Sequence, residues 1–82
     1  MDRKKKEKEA LAQFGKHLSQ LRRGKKLSFR KLATLCDVDY SDIKKFETGK
    51  VNITILTLME LAIGLDIHPK ELLNFDAGFL QE

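Results

Sequence analysis

The 82-residue chain has no tryptophan, one proline, one cysteine and two histidines. Each scarcity removes a class of protein. A lone Cys36 can close no internal disulfide and has no second cysteine with which to make a metal knuckle, so a disulfide-stapled secreted scaffold and a zinc ribbon are both excluded. His17 and His68 stand apart, leaving no ligand cluster of metal spacing, and the chain lacks a Gly-rich phosphate loop and any paired nucleophile and base. An enzyme is therefore not expected, nor a cofactor or small-molecule ligand. Apolar residues never run on for the roughly 18 positions of a spanning helix, and no apolar stretch follows Met1-Asp2-Arg3-Lys4-Lys5-Lys6 as it would in a signal peptide. A cytoplasmic location without a membrane partner is the expectation. Alternation of period two is never long enough to predict a strand.

What is present describes one small folded domain: 41% apolar and 34% charged residues in a length that supports a single core. The charge is unevenly spread. Residues 1–50 carry fifteen of the sixteen Lys and Arg against seven acids, a net +8, whereas residues 51–82 carry one Lys against five acids, a net −4. Positive charge gathered in one region is the footprint of a polyanion partner, because phosphate neutralisation with release of counterions supplies most non-specific affinity for nucleic acid.

Periodicity predicts five helices. Leu11, Phe14, Leu18 and Leu21 recur at steps of three and four, the core face of a first helix that ends near Gly24. Ser28 caps a second, from Phe29 to about Cys36, with Leu27 stapled to Leu32. Asp39 caps a third, from Tyr40 to about Thr48, with Val38 stapled to Ile43 and Gly49 as the stop. Thr54 caps a fourth that turns Ile55, Leu58, Leu61, Ala62 and Leu65 to the core, and a fifth, short helix runs from Pro69 to Asn74. The expected organisation is a basic N-terminal arm or extension of the first helix (1–8), the helical domain (9–74) and a C-terminal tail (75–82).

Three residues, Asp37-Val38-Asp39, separate the second and third helices, which forces a steep crossing: helix-turn-helix geometry. The set Phe14-Gly15, Leu18, Leu21-Arg22, Leu27-Ser28, Leu32-Ala33, Val38, Ile43, Phe46-Glu47, Gly49-Lys50, Leu58, Leu61-Ala62 and Leu65 resembles the Cro-type, phage-repressor-like helix-turn-helix family, also called the xenobiotic-response-element family. The resemblance implies an all-α, compact five-helix lambda-repressor-like domain whose third helix enters the major groove of double-stranded DNA. It places Tyr40, Ser41, Lys44 and Lys45 toward base edges, and Ser28, Phe29, Arg30, Thr48, Lys50 and Asn52 on or beside the phosphate backbone. It also implies an Arg22–Glu47 ion pair tying the first helix to the end of the third. The chain departs from the family in two places, with Asp37 where a turn glycine is usual and Phe29 where a DNA-contacting glutamine is common.

One recognition helix reads few base pairs, so a homodimer on an inverted repeat is expected, acting as a transcriptional repressor or activator. Leu56, Met59 and Ile63 form a second apolar stripe on the fourth helix that, with Phe75, Phe79 and Leu80, offers a two-fold contact surface. A stand-alone regulator, a restriction-modification controller and an antitoxin all fit this size. The alternative outside DNA binding is a protein-interaction module on the same fold, suggested by the apolar Phe29 and the acidic Asp39 and Asp42.

Overall fold

The helices begin where a polar side chain can receive amides that have no partner in the first turn. The computed structural model describes residues 2–78 and orders them as α1 (Arg3–Gly24), α2 (Phe29–Thr34), α3 (Tyr40–Glu47), α4 (Ile55–Leu65) and a 3₁₀ helix (Pro69–Leu73). Ser28 Oγ accepts from the Lys31 amide at 3.0 Å, Thr54 Oγ1 from Thr57 at 3.2 Å and His68 Nδ1 from Lys70 at 3.1 Å. Asp39 differs from its expected role, since its side chain makes no capping bond; its carbonyl accepts from Asp42 and Ile43, both at 3.1 Å, and its carboxylate stays in water.

Two other expectations are corrected. Among the described residues there are four α-helices and a 3₁₀ helix rather than five helices of one kind: Glu71 donates to the His68 carbonyl and Asn74 to that of Glu71, both i to i−3. Five residues opened by a proline are too few to nucleate an α-helix, and the segment is held by tertiary contact instead. Second, α2 stops at Thr34, where Leu35 donates back to the Leu32 carbonyl at 2.9 Å, so the turn to α3 is five residues long. Asp37 does not adopt the left-handed backbone of a turn glycine; its amide donates to Glu60 Oε1 of α4 at 2.9 Å. Among the described residues the left-handed non-glycine ones are Lys26, which follows α1, and Asp66, which follows α4.

Leu18, Leu32, Ile43, Leu61, Leu65 and Leu72 are fully buried, with Phe14, Phe46, Leu58 and Ala62 around them. α1 packs on α3 and on the 3₁₀ helix, and α2 packs on α3 and α4. Ile55, expected in this core, is 63% exposed, because the first turn of α4 projects beyond its partners. His17 Nε2 donates to the Glu71 carbonyl at 2.6 Å, and its ring lies 5.4 Å from that of Phe75, so this histidine ties the 3₁₀ helix to α1. Among the described residues no helix is long and apolar enough to cross a membrane, and no three His, Cys, Asp or Glu gather as metal ligands.

Cys36 is half-buried, its Sγ 3.4 Å from the Leu32 carbonyl. Desolvation pushes its thiol above the ordinary range, aided by the Glu60 and Asp37 charges and opposed by a hydrogen bond with the Val38 backbone. The thiolate, which is the nucleophile, is thus scarce at neutral pH. Alkylation by iodoacetamide is expected to be slow at pH 7, with a rate-against-pH midpoint above that of the same thiol in denaturant. A midpoint at or below the denatured value would contradict the burial effect.

Candidate nucleic-acid interface

α3 is an amphipathic helix with its functional candidates on the wet side. Ile43 is fully buried and Phe46 nearly so, which fixes the rotation of the helix and turns Tyr40, Ser41, Lys44 and Lys45 outward. Those four side chains, with Thr48 and Lys50, line one shallow depression. The structure therefore gathers all four base-facing candidates, together with two of the backbone candidates, on a single surface. Thr48 Oγ1 lies 3.1 Å from both the Lys44 and the Lys45 carbonyl, closing the end of the helix, and Gly49 follows with φ of 72°. Asn52 Oδ1 accepts from the Ile53 amide at 2.9 Å, so this side chain shapes the α3–α4 loop.

The angle of α3 is set by a pair that the family resemblance implies. Arg22 Nε donates to Glu47 Oε2 at 2.6 Å, Nη2 to Oε1 at 3.0 Å and Nη1 to the Leu27 carbonyl at 2.8 Å. Both side chains are largely out of water, at 8% and 6% exposure. A two-pronged bond between planar groups fixes orientation as well as distance. Gly15 completes the joint: a Cβ there would stand 2.5 Å from the Phe46 and Glu47 carbonyl oxygens, so the α1 backbone lies directly against the end of α3.

Three features of the interface were not foreseen. Phe29 does not face solvent as a free apolar ring; the Arg22 guanidinium lies 4.0 Å from its centroid, and Lys44 Nζ is 5.9 Å from it on the α3 side. Phe29 is thus a lid on the buried ion pair, where a ring covers a weakly hydrated planar cation favourably. Arg30 stacks on Tyr40, with Cζ 4.5 Å from the ring centroid, and links α2 to the first residue of α3. Glu60 holds the turn from below. Each contact joins elements whose separation in the sequence carries no periodic signal, although an Arg and an aromatic residue flanking a helix-turn-helix turn is a pattern worth testing for stacking.

The second candidate surface lies elsewhere. Leu56, Ile63 and Met59 are 75%, 64% and 39% exposed, and Met59 and Ile63 share a concavity with Ala62, Asp66, Ile67, His68 and Pro69. Phe75 does not join this surface: it is half-buried against Phe14, ring centroids 6.4 Å apart, and belongs to the chain's own core. Phe79 and Leu80 lie outside the described residues.

Residues 17–78 match the Cro/C1-type HTH DNA-binding domain family. Among curated proteins, the chain is 33% identical over 63 residues to control protein C.BamHI of Bacillus amyloliquefaciens, spanning 76% of this chain and 78% of the relative. Among solved structures it resembles the restriction-modification controller protein C.AhdI from Aeromonas hydrophila, with a TM-score of 0.73 and 40% identity over 76% of this chain and 94% of that one.

Proposed function

The chain belongs to the Cro/C1-type helix-turn-helix DNA-binding domain family, and on that footing we propose that it is a homodimeric transcriptional regulator of the restriction-modification controller kind, reading an inverted repeat with α3 in the major groove. The observation that carries this reading is the shared exposed face of Tyr40, Ser41, Lys44 and Lys45, held at a fixed angle by the Arg22–Glu47 pair. Lys45 and Lys44 donate to guanine O6 and N7 or to phosphate, Ser41 adapts to either base edge, and Tyr40, braced by Arg30, meets a thymine methyl or a phosphate. Ser28, Arg30, Thr48 and Lys50 flank that face and meet the backbone.

Salt supplies the first test. Affinity for a duplex selected from a random pool is expected to fall steeply with salt, and the double variant Lys44→Ala/Lys45→Ala to lose affinity about ten-fold or more while relaxing sequence preference. Salt-insensitive binding, or no duplex bound even at low salt, would favour the protein-interaction alternative. That alternative drew on the apolar Phe29 together with the acidic Asp39 and Asp42; the Phe29 ring is stacked on Arg22, while Asp39 stays exposed.

Dimerisation follows from the energetics of reading DNA. A few base contacts at about 1–3 kcal/mol each barely span the roughly 4–10 kcal/mol that separates specific from non-specific binding, whereas two copies about 34 Å apart read successive grooves. The exposed Leu56, Met59 and Ile63 are the proposed contact. Sedimentation of the wild type is expected to give a dimer at micromolar concentration and of Leu56→Lys/Ile63→Glu a folded monomer; a wild-type monomer at high micromolar concentration would refute the interface.

A further inference from the structure

We propose that the N-terminal two turns of α1 are a second DNA contact, in which Lys4 and Lys8 join Lys50 to grip the phosphate backbone of duplex flanking the segment read by α3. The proposal rests on the DNA-binding reading above and extends the footprint beyond the part of the chain that the family match covers, which starts at residue 17.

Lys4 and Lys8 stand one helical turn apart on one face of α1. With Glu7, Leu11, Thr48, Gly49 and Lys50 they line a concavity of about 810 Å³ between α1 and the α3–α4 loop. This concavity shares Thr48 and Lys50 with the depression over α3, so the surface runs without a break from the base-facing residues to the start of α1. Gly49 creates the junction. Its left-handed backbone lies so close to α1 that a Cβ would be 3.0 Å from Ala12 Cα, which draws Lys50 toward the lysines of α1.

The charge in the concavity identifies its occupant. Three lysines and a single carboxylate, Glu7, line it, and among the described residues no ion pair holds any of the three lysines. Grouping like charges gains nothing for folding and raises the local positive potential, and a concave wall focuses it. The linear spacing also suits a duplex. Lys4 lies ten residues before Phe14, where α1 enters the core, so it stands about 15 Å out along the helix, equivalent to about four base pairs. Contacts of this kind give affinity without sequence preference, because phosphates carry no base identity.

The experiment compares wild type, Lys4→Ala/Lys8→Ala and Glu7→Gln on a duplex selected from a random pool and on a duplex of random sequence, across a salt series. Both lysines are exposed, and circular dichroism should register no loss of fold. The expected result for the lysine variant is weaker binding to both duplexes by the same factor, with the log-affinity against log-salt slope shallower by about 1 for each lysine in a protomer. Glu7→Gln should tighten binding to both, a gain that no loss of fold can mimic. Trimming the selected duplex by about four base pairs outside the motif should weaken the wild type and leave the lysine variant unchanged. An unaltered slope in the lysine variant, with wild-type binding intact, overturns this inference alone. A wild type that binds neither duplex overturns the DNA-binding reading and this inference with it.

Discussion

Arg22→Ala is expected to cost about 3–5 kcal/mol of folding stability, because it leaves the Glu47 carboxylate buried without its cation and the Leu27 carbonyl without its donor. Against a total of about 5–15 kcal/mol for a domain of this kind, that loss takes much of the margin and lowers the melting temperature by about 12 °C or more. The Phe29 ring, which rests on the guanidinium, also loses its partner. Denaturant titration of four proteins checks the account: wild type, Arg22→Ala, Glu47→Ala and the double replacement Arg22→Met/Glu47→Leu. The double variant should be more stable than either single one, since removing both charges removes the desolvation penalty that truncating one exposes. A single variant within 1 kcal/mol of wild type would mean that the pair is solvated in solution. The function should follow: the double variant, though folded, loses the fork that sets the angle of α3, so its specific DNA affinity should fall more than its non-specific affinity.

Gly15→Ala tests the other half of the same joint. In an open helix this change stabilises by up to about 1 kcal/mol through backbone entropy. Here the added methyl would meet two carbonyl oxygens at 2.5 Å, and those are main-chain atoms that no rotamer change can move. Relief requires α1 to retreat from the end of α3, opening the contact that Phe14, Leu18 and Phe46 close. Overpacking against a rigid wall should therefore win, with a net destabilisation of about 1–3 kcal/mol. Gly24→Ala serves as the control, because a Cβ there meets nothing within 4 Å; it should be neutral or slightly stabilising. Equal behaviour of the two variants would refute the close approach.

The residues that build this fold are legible because they act locally. Ser28 and Thr54 cap whatever helix follows them, and the spacing of Leu11, Phe14, Leu18 and Leu21 needs no partner to be recognised. Segregated charge is equally plain, since counting requires no coordinates. The errors occurred where two elements compete for the same groups. Asp39 has the right side chain for a cap, but its carbonyl meets the first amides while the carboxylate stays hydrated. Ile55 has the right period for the core, but only packing decides where the core ends.

By itself, the sequence determined that this chain is helical, that a helix-turn-helix lies between residue 29 and about residue 48, and that its positive charge belongs to the half containing it. Only the tertiary structure decided that Phe29 covers Arg22, that Phe75 turns inward to Phe14 and His17, and that Lys4 and Lys8 stand beside Lys50. The physical reason is range. Capping and amphipathic periodicity act over a few residues and leave a trace in the local pattern, whereas a ring on a cation or three lysines around one hollow depends on distances between segments that are set only once the whole core has closed.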